Sequence, residues 1–541
     1  MTSRPADVDK ARRGGHRPWW LGAPLLLVIA LYILPLSGSP PGTNPNEVVR
    51  IELATSLAFW ARFDIGPAAE VYGLSEDVSI RNGEIYSDKA PGLSIAAAPL
   101  VWIVNPFLDR APSSDLPAYW PLRHALTLLL VAIPTACLAF LVGSTVPDAD
   151  PRARAAGAVI TALATPLWTY GTIFFGHATA ALLVTAAWIL LLGRPGSAQP
   201  PAPSRAVFGG ILVGLAISTE YPTALLGAVI FATLLVRRTP PKVLCAAVAG
   251  AAVGTLPALI YHQIAFGAPW ITGYSFKAAS DMQAIISHGV FGISWPSADA
   301  LWGIAAGARR GIFFYSPFLV LVPYGLWSMV RRWGWRDAGP VLVAGISYFL
   351  FAAGFVDWTA GWCAAARHLV PIIPLVTAVA LGAARGLAES RKGAVIVVIL
   401  IAISGINTVL TIVLTPFFPP QFSLPFVQLV MPSLSEGAAL ANLLSTATGA
   451  APITVAILVA AVATAALVWA TGRLIGTRDM LLPVVYVMTT AVLVPGIWLW
   501  SAERSAEREL MRAQVLRRVG HSSLADEIEH PLAKPVAPSE E

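Results

Sequence analysis

The sequence predicts an all-α protein that crosses a membrane many times. Of its 541 residues, 56% are hydrophobic and only 12% are charged, whereas a soluble domain carries about 25% charged residues. The mean hydropathy is +0.68. Apolar runs of about 17 to 25 residues recur along the chain, which is the length that a helix needs to cross a bilayer. These runs are continuous rather than alternating, so a membrane-spanning β-barrel is not expected.

The positions of the apolar runs predict about thirteen transmembrane helices. One long apolar region must be divided in two at Glu220, and another near Tyr170. The predicted spans are residues 19–36, 121–144, 154–170, 172–193, 206–220, 222–236, 242–264, 311–330, 339–356, 369–386, 393–415, 449–471 and 480–500.

The basic residues predict the orientation of the chain, because cytoplasmic segments are enriched in Lys and Arg. The tail 1–18 is basic and is therefore expected inside, and the later clusters of basic residues then fall on the same side. We attribute the net charge of +6 to this anchoring and predict no nucleic-acid partner. The protein is expected in the inner (plasma) membrane. The segments predicted outside are 37–120, 265–310, 357–368, 416–448 and 501–541.

The spans divide the chain into four predicted parts. The cytoplasmic tail 1–18 precedes a transmembrane module, 19–390, which carries the two long outer loops 37–120 and 265–310. Further transmembrane helices occupy 391–500, and a polar tail, 501–541, lies outside. The start of this tail, 502–519, is expected to form a charged helix, and its end to be disordered. The three cysteines are too few to predict a disulfide framework.

The first outer loop carries an acid at the start of a predicted helix. Asn44 suits the cap of that helix and Pro45 its first turn. Glu47 then lies near the bilayer as a candidate general base, with Arg50 one turn further on. The alternative is a solvated amphipathic helix in which Glu47 and Arg50 form a modest contact at spacing i,i+3.

The same loop ends in a turn, Asp88-Lys89-Ala90-Pro91-Gly92. Pro91 disfavours helical geometry at the residue before it, and Gly92 permits a tight turn. Lys89 is therefore expected to project from a fixed backbone toward an anion. The alternative is an ordinary turn before an interfacial helix over 93–108.

A third candidate segment is the outer connection that runs from Asp357 to His368. Arg367 and His368 stand on the outer side against the positive-inside tendency, and arginine is suited to bidentate phosphate binding. Trp358 and Trp362 belong to the same segment. The alternative is a belt of interfacial tryptophans with a snorkelling arginine.

Two further sets of residues are candidates for a substrate pocket. His177 and Glu220 are ionisable groups at membrane depth, where such groups are functional candidates, although a structural histidine is the alternative for His177. In the second outer loop, Tyr274 is a candidate sugar contact, and Arg309 and Arg310 are candidate phosphate or headgroup ligands. The alternative for this loop is a set of ordinary interfacial residues.

No cofactor or metal site is predicted. The sequence carries no Walker loop, dinucleotide fingerprint or nucleophile elbow in a persuasive context. Glu47 and His177 are too few to argue for a metal, and a divalent metal stays open.

The order of these features resembles the GT-C superfamily of membrane glycosyltransferases. More narrowly, it is similar to family 39-like protein mannosyltransferases and lipid A aminoarabinose transferases. The resemblance covers residues 1 to about 390 and rests on Asn46-Glu47-Val48-Val49-Arg50, Asp88-Lys89-Ala90-Pro91-Gly92, Phe266-Gly267-Ala268-Pro269, Thr272-Gly273-Tyr274 and the segment from Trp358 to Pro371. Three positions depart from the family pattern: Asn46 and His177 stand where many relatives have acids, and Ala90 where a second proline is common.

The resemblance implies a GT-C fold and the transfer of a sugar from a polyprenyl-phosphate donor to an envelope glycan, lipid or protein. Glu47 would deprotonate the acceptor. Lys89, Arg367, Arg309 and Arg310 would hold the donor phosphate. The membrane would supply the lipid environment of the prenyl tail.

Two other classes of function stay open. A transporter or flippase of lipid-linked sugars would place polar groups along several span interiors, whereas the candidates here collect at one face. An inactive scaffold for an envelope complex is the third reading.

Overall fold

A computed structural model describes residues 19–36, 44–197, 199–289, 292–476 and 506–532. Helices dominate these residues, which confirms the predicted all-α class. The amino-terminal half contains α1 (Trp19–Ile33), α2 (Pro45–Trp60), α3 (Gly66–Tyr72), strands β1 (Val78–Arg81) and β2 (Glu84–Ser87), α4 (Gly92–Val104), α5 (Tyr119–Thr127), α6 (Ile133–Gly143), α7 (Pro151–Leu163), α8 (Leu167–Gly171), α9 (Gly176–Leu192), α10 (Pro203–Thr219), α11 (Thr223–Val236) and α12 (Pro241–Phe266).

The carboxy-terminal half begins with short helices of the second outer loop and ends with a helical pair. It contains α13 (Ser280–Ser287), α14 (Ala298–Ala305), α15 (Ile312–Tyr315), α16 (Val322–Trp333), α17 (Trp335–Ala353), α18 (Ile373–Leu387), α19 (Arg391–Ile412), α20 (Met431–Ser435), α21 (Leu443–Thr448), α22 (Pro452–Ile475), α23 (Ala506–Arg518) and α24 (Ser522–Leu532). The predicted span 480–500 and the tail 1–18 lie outside the described residues.

Among the described residues, five continuous helical stretches are long and apolar enough to cross a membrane, and several shorter apolar helices accompany them. A π-helical turn joins α5 to α6, and a 3-10 turn, Arg367–Ile372, leads into α18. The predicted number of spans stays a prediction. The long stretches are Tyr119–Gly143, Pro241–Phe266, Arg367–Leu387, Arg391–Ile412 and Pro452–Ile475.

Helices α10 and α12 pack closely because glycines face one another along their contact. A Cβ atom on Gly210 would lie 2.0 Å from the carbonyl oxygen of Ala247, and one on Gly250 would lie 2.1 Å from that of Val207. Only glycine permits such an approach, as is common where membrane helices meet. The packing holds the outer ends of these two helices side by side, next to α4.

Charged residues gather at the two ends of the bundle. At the end predicted to be cytoplasmic, Arg237 pairs with Asp337 at 2.8 Å and Arg332 with Asp148 at 2.6 Å. The segments predicted outside meet at the opposite end. Helix α9 runs between the two ends, and its 17 residues span about 25 Å. The structure thus groups the predicted inner and outer residues separately, and their sides of the membrane stay predictions.

The end of the bundle predicted to lie outside, here called the outer face, is built from the two long loops, which contact each other. Helix α2 begins as predicted, with the Asn44 side chain accepting a hydrogen bond from the Asn46 amide at 3.0 Å. The predicted helix 93–108 is present as α4 and the 3-10 turn that follows it. Between them lies a β1–β2 hairpin, and the Ser79 hydroxyl on β1 donates to the Gly273 carbonyl at 2.7 Å.

The described part of the carboxy-terminal tail, residues 506–532, contains two helices. Helix α23 confirms the expected charged helix, but the expectation of disorder after residue 519 was wrong as far as Leu532, because α24 forms there. Leu516 of α23 is fully buried. Arg512 is 1% exposed and forms an ion pair with Glu436 in the outer segment 416–448. The tail is therefore packed against the outer face.

Candidate active site

Glu47 is held by two donors on one of its carboxylate oxygens. Its Oε1 accepts from Arg123 Nη2 and from the backbone amide of Phe174, both at 2.7 Å. Its Oε2 makes no hydrogen bond with the described residues. The side chain is 2% exposed, so the carboxylate has a fixed orientation and keeps one free oxygen. A positioned base requires this arrangement.

Arg50 joins α2 to the end of α10. Its Nη2 lies 2.9 Å from Glu220 Oε1, while its Nε donates to Asn46 Oδ1 at 2.9 Å and its Nη1 to the Ala90 carbonyl at 3.0 Å. His177 Nδ1 lies 3.4 Å from the same Glu220 oxygen. The i,i+3 contact between Glu47 and Arg50, considered as the alternative for this helix, is not formed. Each residue instead binds a charged partner from a distant part of the chain, Glu47 to Arg123 and Arg50 to Glu220.

Lys89 belongs to a cluster of four charges that links the two outer loops. Its Nζ lies 3.0 Å from Asp77 Oδ2 and 3.1 Å from Asp88 Oδ1. Lys277 Nζ lies 2.7 Å from Asp88 Oδ2 and 3.1 Å from Asp77 Oδ1. Burial alone would raise the pKa of Asp77, but the two ammonium groups outweigh it and hold that pKa below its ordinary value. Two carboxylates therefore neutralise the two lysines here.

The turn at Lys89 depends on a glycine for a different reason from the one predicted. A Cβ atom on Gly92 would lie 2.6 Å from the backbone carbonyl of Ser218 on α10. Gly92 is therefore required by the close approach of α4 to α10. This approach brings the charge cluster next to Glu220.

The three candidate arginines differ in what they bind. Arg310 is fully buried, and its guanidinium donates to backbone carbonyls, including those of Thr359 and Gly361, each at 2.7 Å. Arg309 and Arg367 have no hydrogen bond from their side chains and no ion pair within the described residues, and the Nε of each is buried without a partner. Two guanidinium groups are thus left unpaired in this part of the outer face.

The remaining predicted residues lie around these groups. The Trp358 ring is 6.0 Å from the Arg309 guanidinium. The His368 ring stacks on Phe355 at 4.8 Å and lies 6.0 Å from the ring of His177. Tyr274 packs edge-on against Tyr221 at 6.5 Å.

Glu47 lines a small cavity that also receives residues from the carboxy-terminal tail. The cavity has a volume of about 40 Å³. Arg123 and Trp120 line it from the start of α5, and Trp362 lines it from the segment 357–368. Helix α23 contributes Arg518, together with its neighbours Val515 and Val519. The Arg518 guanidinium lies 4.0 Å from the centre of the Trp362 ring.

Sequence reasoning missed three charged residues that the structure places in this region. Lys277 is a cation in a segment predicted to be outer, and Arg123 stands at the outer start of the predicted span 121–144, so the positive-inside argument that singled out Arg367 also applies to them. Arg518 lies in the predicted charged helix of the tail, which was not considered as part of a site. Glu220 was considered as an ionisable group at membrane depth, and the structure pairs it with Arg50 and places His177 Nδ1 3.4 Å from it.

No metal centre is evident in the part of the chain that the structure describes, where no group of three or more His, Cys, Asp or Glu side chains gathers. The nearest approach is His177 beside Glu220. The predictions of no metal and no cofactor stay predictions.

No protein-family model and no curated protein matches the chain. Among solved structures, it is similar to ArnT from Cupriavidus metallidurans in the apo state, with 17% identity, a TM-score of 0.45 and coverage of 92% of this chain and 80% of that one. It is also similar to the archaeal oligosaccharyltransferase AglB from Archaeoglobus fulgidus, with 12% identity, a TM-score of 0.38 and coverage of 96% and 60%. The arabinosyltransferase EmbB from Mycobacterium smegmatis is similar with 12% identity, a TM-score of 0.37 and coverage of 91% of this chain and 44% of that one. At identities and TM-scores this low, the site has to be interpreted from its own residues.

Proposed function

We propose that the protein is a glycosyltransferase that moves a sugar from a polyprenyl-phosphate donor to an acceptor hydroxyl in the cell envelope. The observation that carries this proposal is the geometry of Glu47. One carboxylate oxygen is fixed by two donors, the other has no hydrogen-bond partner among the described residues, and Glu47 lines a cavity. This carboxylate also matches the acid of the family motif that the sequence resembles.

In the proposed reaction, Glu47 accepts the proton of the acceptor hydroxyl through Oε2. The acceptor oxygen forms a bond to the anomeric carbon as the bond between that carbon and the phosphate oxygen breaks. The lipid phosphate leaves with the bonding electrons. Arg123 fixes the carboxylate, since its Nη2 binds the oxygen that does not receive the proton.

The leaving phosphate requires positive charge as its own charge develops. We assign this role to Arg367 and Arg309, because neither side chain has a hydrogen bond or an ion pair within the described residues. Lys89 is neutralised by Asp77 and Asp88, so we assign it a positioning role in the wall of the site. Arg310 holds backbone carbonyls, and we assign it the same kind of role.

The placement of charge favours an enzyme over a transporter. The buried charged side chains of the described residues all belong to the outer end of the bundle, and none lies along the interior of a span toward the other end. A transporter of charged or polar substrates requires polar groups along its path. A reaction site at one membrane face does not.

The experiment that tests the function is a transfer assay on purified protein with labelled polyprenyl-phosphate sugars and envelope extract. We expect one of the sugars to reach the extract. Arg367→Ala should weaken donor binding, and Arg367→Lys should restore only part of it, because a lysine cannot reproduce the bidentate contact of a guanidinium. The matched control is Arg336→Ala at the predicted inner end. Unchanged donor affinity in Arg367→Ala would remove Arg367 from the site, and the absence of transfer from every donor would reject the function.

A further inference from the structure

The cavity beside Glu47 contains two arginines whose binding capacity is not used. Arg123 is 3% exposed, and its Nε and Nη1 are buried with no hydrogen-bond partner in the described residues. Only Nη2 is engaged, by Glu47. A buried donor without an acceptor is costly, so these groups indicate that something else binds here.

Arg518 is the second arginine, and α23 carries it to the cavity. It makes no ion pair or hydrogen bond with the described residues, and it stacks on Trp362 at 4.0 Å. Its neighbour Arg517 is the opposite case, since it is paired with Asp526 and Glu529 of α24 at 2.5 Å each. Arg518 itself is exposed and has no ion pair among the described residues, although Glu76 attracts it at longer range.

The charges around the cavity do not balance. Glu47, Arg123 and Arg518 are its only charged lining residues within the described part of the chain, and they sum to +1. The threonines Thr172 and Thr415 add hydroxyl groups to the lining. One monoanion would neutralise the cavity and supply acceptors for the unused guanidinium donors.

The size of the cavity limits what can enter it. Its volume of about 40 Å³ is far below the roughly 300 to 1,000 Å³ of a site that encloses a whole small molecule. It is sufficient for a few heavy atoms, since a water molecule occupies about 30 Å³ in the liquid. The cavity therefore has room for a phosphate or carboxylate group.

We propose that this cavity is an acceptor subsite, in which Arg123 and Arg518 bind an anionic group, a phosphate or a carboxylate, on the molecule whose hydroxyl Glu47 deprotonates. This inference rests on the proposed function. It makes α23 the wall of the site and Arg518 a specificity-determining residue. The donor phosphate is assigned elsewhere, since Arg309 and Arg367 do not line this cavity.

The test measures anion binding by thermal stabilisation of the purified full-length protein. Inorganic phosphate is titrated at constant ionic strength, and a short-chain polyprenyl phosphate serves as the donor-side probe. We expect Arg518→Gln to weaken phosphate binding by about tenfold or more, as loss of a charged hydrogen bond does, and to leave polyprenyl-phosphate binding unchanged. Arg517→Gln is the matched control, because it removes the same charge from the same turn of the helix without touching the cavity. It should retain wild-type binding of both probes.

Arg518→Lys separates charge from packing on Trp362, and we expect it to keep part of the phosphate affinity. Equal phosphate affinity in wild type and Arg518→Gln would overturn the proposal. So would loss of inorganic phosphate binding in Arg367→Ala but not in Arg518→Gln, because the anion would then belong to the donor side. A failure of sugar transfer with Arg518-dependent phosphate binding intact would instead reject the proposed function, so the two failures are distinguishable.

Discussion

Replacing Glu52 by glutamine should make the protein more stable at alkaline pH. Glu52 lies on α2, outside the membrane-spanning segments, and it is fully buried with no hydrogen-bond partner for either carboxylate oxygen among the described residues. Burial raises its pKa from 4.5 to about 8. The folded protein therefore keeps this proton at neutral pH, while the unfolded chain releases it.

The sign of the effect follows from this difference in proton binding. Between pH 4.5 and pH 8 the folded state binds more protons than the unfolded state, so the free energy of unfolding falls as the pH rises. Each unit of pKa difference is worth about 1.4 kcal/mol. From pH 5 to pH 8, the free energy of unfolding of the wild type should therefore fall by about 3 kcal/mol more than that of Glu52→Gln. For a chain of this length that is roughly 3 °C in Tm on the per-residue entropy of soluble proteins.

The measurement is a thermal or denaturant unfolding series in detergent at pH 5, 6, 7 and 8 for both proteins. The difference between the two curves isolates Glu52, because every other titrating group is common to both. Glu70→Gln is the control, since Glu70 is exposed on α3, and its difference curve should be flat. The reasoning from burial would be refuted by a flat difference curve for Glu52→Gln. It would also be refuted if the variant became less stable relative to the wild type as the pH rises.

Three further outcomes are expected. Glu47→Gln should lose about 10²- to 10⁴-fold in turnover while its expression and donor binding are kept. The loss of turnover in Glu52→Gln should be smaller. A larger loss in Glu52→Gln than in Glu47→Gln, measured in a turnover assay, would make Glu52 the base. Gly92→Ala should destabilise the fold by about 1 to 3 kcal/mol, because its Cβ would overlap the α10 backbone, and unchanged unfolding would contradict the close approach. In a background without native cysteines, Glu70→Cys should react with an impermeant reagent in intact cells and Ser197→Cys only after lysis, and the opposite pattern would invert the topology.

Local signals in the sequence predicted α2 and α4 of the first outer loop, but neither α3 nor the β1–β2 hairpin. The cap at Asn44, the proline at position 45 and the interfacial helix after Lys89 were all predicted from short-range rules, and the structure contains each of them. Those rules describe how a segment folds by itself, so they identified Gly92 as a turn residue. The neighbour that requires a glycine there, α10, lies more than a hundred residues away.

The charge pairing of the site could not be predicted from the sequence. Glu47 and Arg50 stand at helical spacing, so a local contact was considered, yet each binds a residue from a distant helix, Arg123 and Glu220 respectively. Lys89 was predicted to project toward an anion, but Asp77, which precedes the β1–β2 hairpin, and its sequence neighbour Asp88 already pair with it. The helix α24 was missed because its sequence is polar and its buried contacts lie on another segment.

The cavity beside Glu47 is assembled from parts of the chain that are synthesised far apart in time. Glu47 is made first, Arg123 and Phe174 follow with later helices, Trp362 comes after them, and Arg518 is made after all of these. Until α23 has been synthesised, the cavity lacks the wall that this helix supplies. If Glu47 is the base, a chain truncated before α23 would leave it in an open site.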